Sequence, residues 1–401
     1  MAAWAAGWKH CARAWSSQVR RTLQTLVETS RRFLDVFLLC VIIQEMNTLP
    51  DAYRNLSDDE IFTRIRTARE KLGPDVVILG HHYQRDEVIQ FADYRGDSLE
   101  LSRIAATQAK AARYIVFCGV DFMAETAAML CAPSQTVLLP ALEAPCPMAA
   151  MADVTDAQVA WDTLTALWDD DLVPITYQNS YAGLKAFCGQ RGGAVCTSAN
   201  AQAVFRWALS QKGHVLFFPD EHLGRNTALA LGIPLEEIAV WDPEEPGDGD
   251  TFHKARVVIW KGYCHVHTCF AAEHVRAVRE KYGNILVVVH PECPMEVVQA
   301  ADLNGSTSFI LRTVRDALPG SRFAVGTEIN MVARLARDYP DKLVVPLARS
   351  LCGAMYRTSP NHLLYALESL RRGETVGVVT VPEETTRWAN VALERMLALK
   401  G

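Results

Sequence analysis

The sequence predicts an α/β protein made of three similar α/β/α units, each with a short parallel sheet, arranged around a pseudo-threefold axis. Three observations carry that expectation. Short apolar runs alternate with helix-patterned stretches from about residue 55 onward, as in parallel strands joined by covering helices. The runs then recur in one order three times, the mark of an internal repeat. Finally, 401 residues with 50% hydrophobic composition can fill more than one core.

Strands are expected at 76–79, 114–118, 136–139, 173–176, 215–218, 257–260, 285–289, 323–325 and 343–346. Helices are expected at 99–110, 200–211, 274–281 and 331–337. Within each repeat, an apolar run first ends in polar groups: "VVILGHHYQ", "VPITYQNS", "ILVVVHPE". A hydroxyl-bearing segment follows: "RGDSLELS", "VCTSANA", "NGSTSFI". A third strand ends in a turn: "YIVFCGVDFMAE", "HVLFFPDEHLG", "FAVGTEINM". A fourth run leads to a cysteine: Cys146, Cys264 and Cys352. These divide the chain into units at 51–150, 151–264 and 265–352, with 353–401 packing over the scaffold.

Functional groups in such units gather outside the carboxyl ends of the strands. If the units face one another, three polar strand ends and three cysteines meet. Three thiolates on one centre would leave a coordination position open, as a catalytic metal requires. His81 and Tyr83 alternate, so on extended backbone they share a face, and His82 points away as a structural residue. Tyr177 with Asn179 and His290 with Glu292 repeat that spacing. Ser98, Ser198 and Thr307 stand at or near expected helix starts. There a hydroxyl can cap the helix, and free N–H groups can hold phosphate or carboxylate.

Other features narrow the function. Net charge is −6 without a basic stripe, so no nucleic-acid partner is expected. No apolar run reaches the roughly 18 residues of a membrane span, so no membrane is expected either. Residues 1–50 form an extension, read as either a poorly ordered or mis-started segment or an amphipathic transit-like helix. Eleven cysteines without a CxxC pair disfavour a disulfide framework and point to a reducing cytoplasm. Cys118, Cys131, Cys188, Cys196, Cys269 and Cys293 are expected as small packed side chains rather than ligands.

In combination and order, "GHHYQ", "GDSLELS", "TVLLPALEAPCPMA", "TYQNS", "CTSANA", "WKGYCHVH", "VHPEC", "GSTSFI", "GTEINMV" and "CGAMYRTSPNHLLYALE" resemble the quinolinate synthase family from about Asp51 to the C-terminus. The family pattern is departed from at Pro145, Ala150 and Ala354. The resemblance implies an iron–sulfur transferase of NAD biosynthesis with a [4Fe-4S] cluster on Cys146, Cys264 and Cys352. The implied reaction condenses iminoaspartate with dihydroxyacetone phosphate, and an L-aspartate-oxidising enzyme would supply the former. His81 and Tyr83 would touch substrate, and Glu292, Tyr83 and His81 would serve catalysis. Glu292 is the expected general base, its pKa raised toward neutrality by burial. His265 would share the pocket, and His267 would support it from behind. Three competing readings are an aconitase-type hydro-lyase, a thiolate-based iron or redox sensor, and a cluster-free solute-binding module.

Overall fold

A computed structural model describes residues 49–247 and 249–399; expectations for the first 48 residues lie outside the described range. Fourteen described strands form three sheets. The first contains β1 (Val76–His81), β2 (Tyr94–Gly96), β3 (Tyr114–Cys118) and β4 (Thr136–Leu138). The second contains β5 (Leu172–Tyr177), β6 (Ala194–Cys196), β7 (His214–Phe218), β8 (Ile238–Trp241) and β9 (Val257–Trp260). The third contains β10 (Leu286–Val289), β11 (Leu303–Asn304), β12 (Arg322–Gly326) and β13 (Leu343–Pro346). The last strand, β14 (Val378–Val379), pairs antiparallel with β4.

The first sheet runs β14-β4-β3-β1-β2, the second β6-β5-β7-β9-β8 and the third β11-β10-β12-β13. Read in chain order within each sheet, one pattern underlies all three: the first strand sits between the second and third, and the strand leading to the cysteine lies beyond the third. The second sheet adds β8 at its edge, and the first adds β14. All pairings except that of β14 are parallel. The predicted α/β class is therefore observed, with each sheet flanked by helices.

The strands are apolar along most of their length because both faces are covered. Every residue of β5, including Thr176 and Tyr177, is buried. The covering helices include α1 (Asp58–Leu72), α2 (Ser98–Thr107), α3 (Asp121–Leu130), α4 (Ala182–Gln190), α5 (Ala201–Gln211), α6 (Glu221–Ala230), α7 (Thr307–Arg315), α8 (Ile329–Asp338), α9 (Pro360–Arg371) and α10 (Glu383–Ala398). Caps set several starts: Ser57 accepts from Glu60 N, Asp220 from Leu223 N at 2.7 Å, and Glu328 from Asn330 N at 2.8 Å.

The first and third sheets share a core in which Leu79, Phe117 and Val137 pack with Val288, Phe323 and Val325. Helices of the C-terminal segment pack on the rest of the chain. Helix α10 crosses α4 so closely that a Cβ at Gly189 would lie 1.9 Å from the Trp388 carbonyl oxygen. Only glycine admits that approach.

Candidate functional site

A buried cavity of about 60 Å³ lies where the three sheets converge. That is room for about four water-sized bodies. Every site residue expected from the sequence lines it. The first sheet contributes His81, Tyr83, Ser98 and Cys146; the second contributes Tyr177, Asn179, Ser198, Cys264 and His265; the third contributes His290, Glu292, Thr307 and Cys352.

Their convergence follows from topology. His81, Tyr177 and His290 each end or immediately follow the first strand of a sheet. Ser98, Ser198 and Thr307 follow the second strand, and the three cysteines follow the β4, β9 and β13 strands. The hydroxyl residues are not themselves the caps. Asp97 accepts from Leu99 N and Glu100 N, and Ser306 accepts from Phe309 N; Asn200 occupies the cap before α5. Asp97 and Ser306 thus cap their helices, Asn200 holds the cap position of α5 with no side-chain bond to it, and Ser98, Ser198 and Thr307 line the cavity.

Two imidazoles are held by the same local device. Tyr83 N donates to His81 Nδ1 at 3.1 Å, and Glu292 N donates to His290 Nδ1 at 3.4 Å. With Nδ1 accepting, the proton of each neutral ring belongs on Nε2. His290 Nε2 then donates to Ser198 Oγ at 3.2 Å. Burial pushes the His81 pKa well below the usual range. Burial, helped by His267, brings His290 down to about 3. Both rings are neutral near pH 7. His82 does not line the cavity, and burial brings its pKa down to about 4.

The centre of the site is a buried chain of hydrogen bonds. Glu292 Oε2 meets His267 Nδ1 at 2.6 Å; His267 Nε2 meets Thr327 Oγ1 at 3.2 Å; Thr327 Oγ1 meets Tyr83 Oη at 2.7 Å. Thr307 Oγ1 reaches Tyr83 Oη at 3.3 Å. His267 also stacks on His290, with ring centroids 4.4 Å apart. His267 was expected behind the pocket; it lines the pocket, because the turn after Cys264 carries it inward, with His267 N donating to Cys264 O at 3.0 Å.

The expected rise in the Glu292 pKa is also corrected. Burial does push it up, but His267, His290 and the hydrogen bonds from His267 and Tyr177 outweigh that effect and hold it below the usual carboxylate range. Glu292 is thus an ionised acceptor. The phenols of Tyr83 and Tyr177 are driven well above their ordinary value, first by burial and then by the Glu292 charge, and remain donors.

The cysteine loops are anchored from behind. Cys146 N donates to Asp121 Oδ1 at 3.1 Å, and Cys352 N to Glu328 Oε1 at 3.4 Å. Asp121 and Glu328 stand at corresponding turns, after β3 and β12. Buried Gln84 donates to Met355 O at 3.1 Å, tying the end of β1 to the Cys352 loop. Arg334 donates to His82 O at 2.8 Å, to Gln84 O, and to Asp86 at 2.6 Å, which pins that strand end to α8. Burial raises all three thiols, Cys352 to about 11 and the others further. Of the remaining cysteines, Cys118, Cys188, Cys196 and Cys293 are buried and Cys131 is half-buried, in keeping with packing roles. Cys269 is exposed instead, on the turn that follows Cys264, where its thiol reaches His265 O.

Among the described residues, the one trio of donor atoms within 4.8 Å of one another is that of Cys264, His267 and Glu292. The sulfurs of Cys146, Cys264 and Cys352 line the same cavity without forming so close a trio. Thr327 and the anchors Asp121, Glu328 and Arg334 were not singled out from sequence. The third-strand motifs "FCGVDF" and "VGTEIN" contain all but Arg334, yet nothing in their spacing separates them from ordinary helix starts.

A family model described as Quinolinate synthetase A protein matches residues 63–398. A quinolinate synthase of Geobacillus thermodenitrificans is 49% identical over 89% of this chain and 98% of its own length. One from Corynebacterium glutamicum is 49% identical over 88% of the chain and 90% of its own length. One from Acidobacterium capsulatum is 50% identical over 88% and 96%. No described helix is long and apolar enough to cross a membrane.

Proposed function

Since this chain belongs to the quinolinate synthase family, we propose that it condenses iminoaspartate with dihydroxyacetone phosphate, releasing phosphate and two waters as the pyridine ring closes. The observation that carries this reading is the convergence of three first-strand ends, three helix starts and three cysteines in one buried cavity.

Ring formation requires carbon-bound protons to be removed and leaving hydroxyls to be protonated. Glu292 is ionised, shielded and oriented by His267, so it accepts the proton. Tyr83 keeps its phenolic proton and is aimed by Thr327 and Thr307, so it donates. Such transfers are each worth ~10²–10⁴ in rate. Neutral His81 presents its Nε2–H to substrate oxygen. Tyr177 and Asn179 orient the carboxylates, and Ser98, Ser198, His265, His290 and Thr307 receive phosphate or carboxylate oxygens.

The donor chemistry fits an iron–sulfur group. Three soft thiols come from three sheets, and thiolates favour such clusters. Sulfurs sharing one tetrahedral ion at ~2.3 Å bonds lie only ~3.8 Å apart, and Cys146, Cys264 and Cys352 do not form so close a trio, which favours a larger body over a single ion. Cys146, Cys264 and Cys352 would hold the [4Fe-4S] cluster, which when bound supplies a Lewis acid for departing hydroxide. A single cation on Cys264, His267 and Glu292 is the second reading, favoured by their closeness, but it leaves Cys146 and Cys352 without a task.

The proposed setting is a reducing cytoplasm, where thiolate ligands persist, with iminoaspartate supplied by oxidation of L-aspartate. Units at 51–150, 151–264 and 265–352 are the proposed organisation. Anaerobically purified protein should form quinolinate from the two substrates, scored by mass spectrometry. Turnover of hydroxy acids without quinolinate would favour a hydro-lyase instead.

A further inference from the structure

A second cavity, of about 320 Å³, opens between the second and third sheets. It is five times the volume of the buried site and is separated from it by very little. Ser198 lines both cavities, and Pro291, which lines the second, lies between His290 and Glu292, which line the first. The two cavities therefore share Ser198 and meet across the His290–Glu292 turn. Asn226 braces it by donating to Pro291 O at 2.8 Å and to Cys293 O at 2.9 Å.

The charge of this second cavity is one-sided. Arg206 and Arg312 line it, no aspartate or glutamate does, and among the described residues neither arginine makes an ion pair. Arg206 has only a long contact to Gln202 Oε1, at 3.5 Å. In a chain of net charge −6, the exposed guanidinium groups of Arg206 and Arg312 beside this polar cavity attract anions, although Arg312 also acts on Asp316. Guanidinium forks suit phosphate oxygens in particular.

We propose that this cavity is a vestibule that binds phosphate-bearing anions next to the Ser198–Pro291 partition, on their way to or from the buried site. The inference rests on the proposed reaction for its traffic, but its binding test does not. A phosphate ester entering and inorganic phosphate leaving present the same group, so the two sources are separated by experiment.

Holoenzyme and the R206Q/R312Q double variant are titrated with inorganic phosphate and with glycerol 3-phosphate, an unreactive phosphomonoester, by calorimetry. Both are then assayed over a range of salt. Loss of charge-assisted contacts should weaken phosphate binding by about tenfold or more. kcat/KM for the phosphorylated substrate should fall by a similar factor and lose part of its salt dependence, with kcat within about twofold and iron content unchanged. Tighter binding of the ester would identify an entry site, and tighter binding of inorganic phosphate a release site. Equal phosphate affinity in both proteins would overturn the proposal. If the wild type makes no quinolinate but phosphate affinity still falls in the variant, the reaction reading fails and the vestibule stands.

Discussion

Thr327→Val tests the hydrogen-bond chain at its middle link. Thr327 is fully buried, and its hydroxyl makes the shortest contact of Tyr83, 2.7 Å, as well as the 3.2 Å contact of His267. Valine matches the shape and removes only the hydroxyl. Tyr83 would keep Thr307 at 3.3 Å, and His267 would keep Glu292 at 2.6 Å, so neither group is orphaned. Stability should therefore drop by only ~1 kcal/mol, the low end for a disturbed buried hydrogen bond. Activity should suffer more, because the Tyr83 proton loses its aim. A fall of about a hundredfold in kcat is expected, within the range for one proton-transfer group or an ångström of misplacement. The assay is single-turnover quinolinate formation at matched iron content, with Thr327→Ser as the variant that restores the hydroxyl. A folded Thr327→Val protein with wild-type kcat would refute the chain as proton machinery.

Two further outcomes follow from the same geometry. His290 is lowered to about 3 in the fold, against ~6.5 unfolded; a depressed histidine favours the folded state above the unfolded pKa and loses that contribution as pH falls from ~6.5. Linkage puts the loss between pH 7 and pH 5 at about 2 kcal/mol, so His290→Gln should unfold in urea with a visibly flatter pH dependence than wild type; equal slopes would contradict the burial argument. Arg334→Leu should cost about 3 kcal/mol, since it leaves the buried carbonyls of His82 and Gln84 without their donor, and should raise KM through the loosened His81–Tyr83 turn; unchanged thermal stability would count against that anchoring.

Most of the site could be read from the sequence because strand ends and helix starts leave local patterns. The every-other spacing of His81 with Tyr83, and of His290 with Glu292, reads as extended backbone, whereas β1 ends at His81 and β10 at Val289, so a turn at each strand end, not strand alternation, carries Tyr83 and Glu292 into the cavity; the thrice-repeated order of motifs placed the cysteines at matching loops. Short strands escaped: β2, β6 and β11 have two or three residues each, too few for an apolar run to stand out. Thr327 escaped because one threonine at a turn looks like any helix-start residue; only the meeting of the first and third sheets brings it to Tyr83. The Glu292 pKa was misjudged for a related reason. Burial can be guessed from an apolar run, whereas the opposing effect comes from His267, 25 residues away in sequence. Arg334 contacts a strand end some 250 residues earlier, which no local pattern encodes.

The account stands on three thiols from three sheets gripping one inorganic group beside Glu292 and Tyr83. The most direct test is iron and acid-labile sulfide, measured on anaerobically prepared wild type and on the single alanine variants at Cys146, Cys264, Cys352 and Cys188. Iron and sulfide in equal amounts should be found in wild type and in Cys188→Ala, and should be lost, along with quinolinate formation, in each of the other three. Full iron and sulfide content in any one of those three variants, or zinc in place of iron in the wild type, would contradict it.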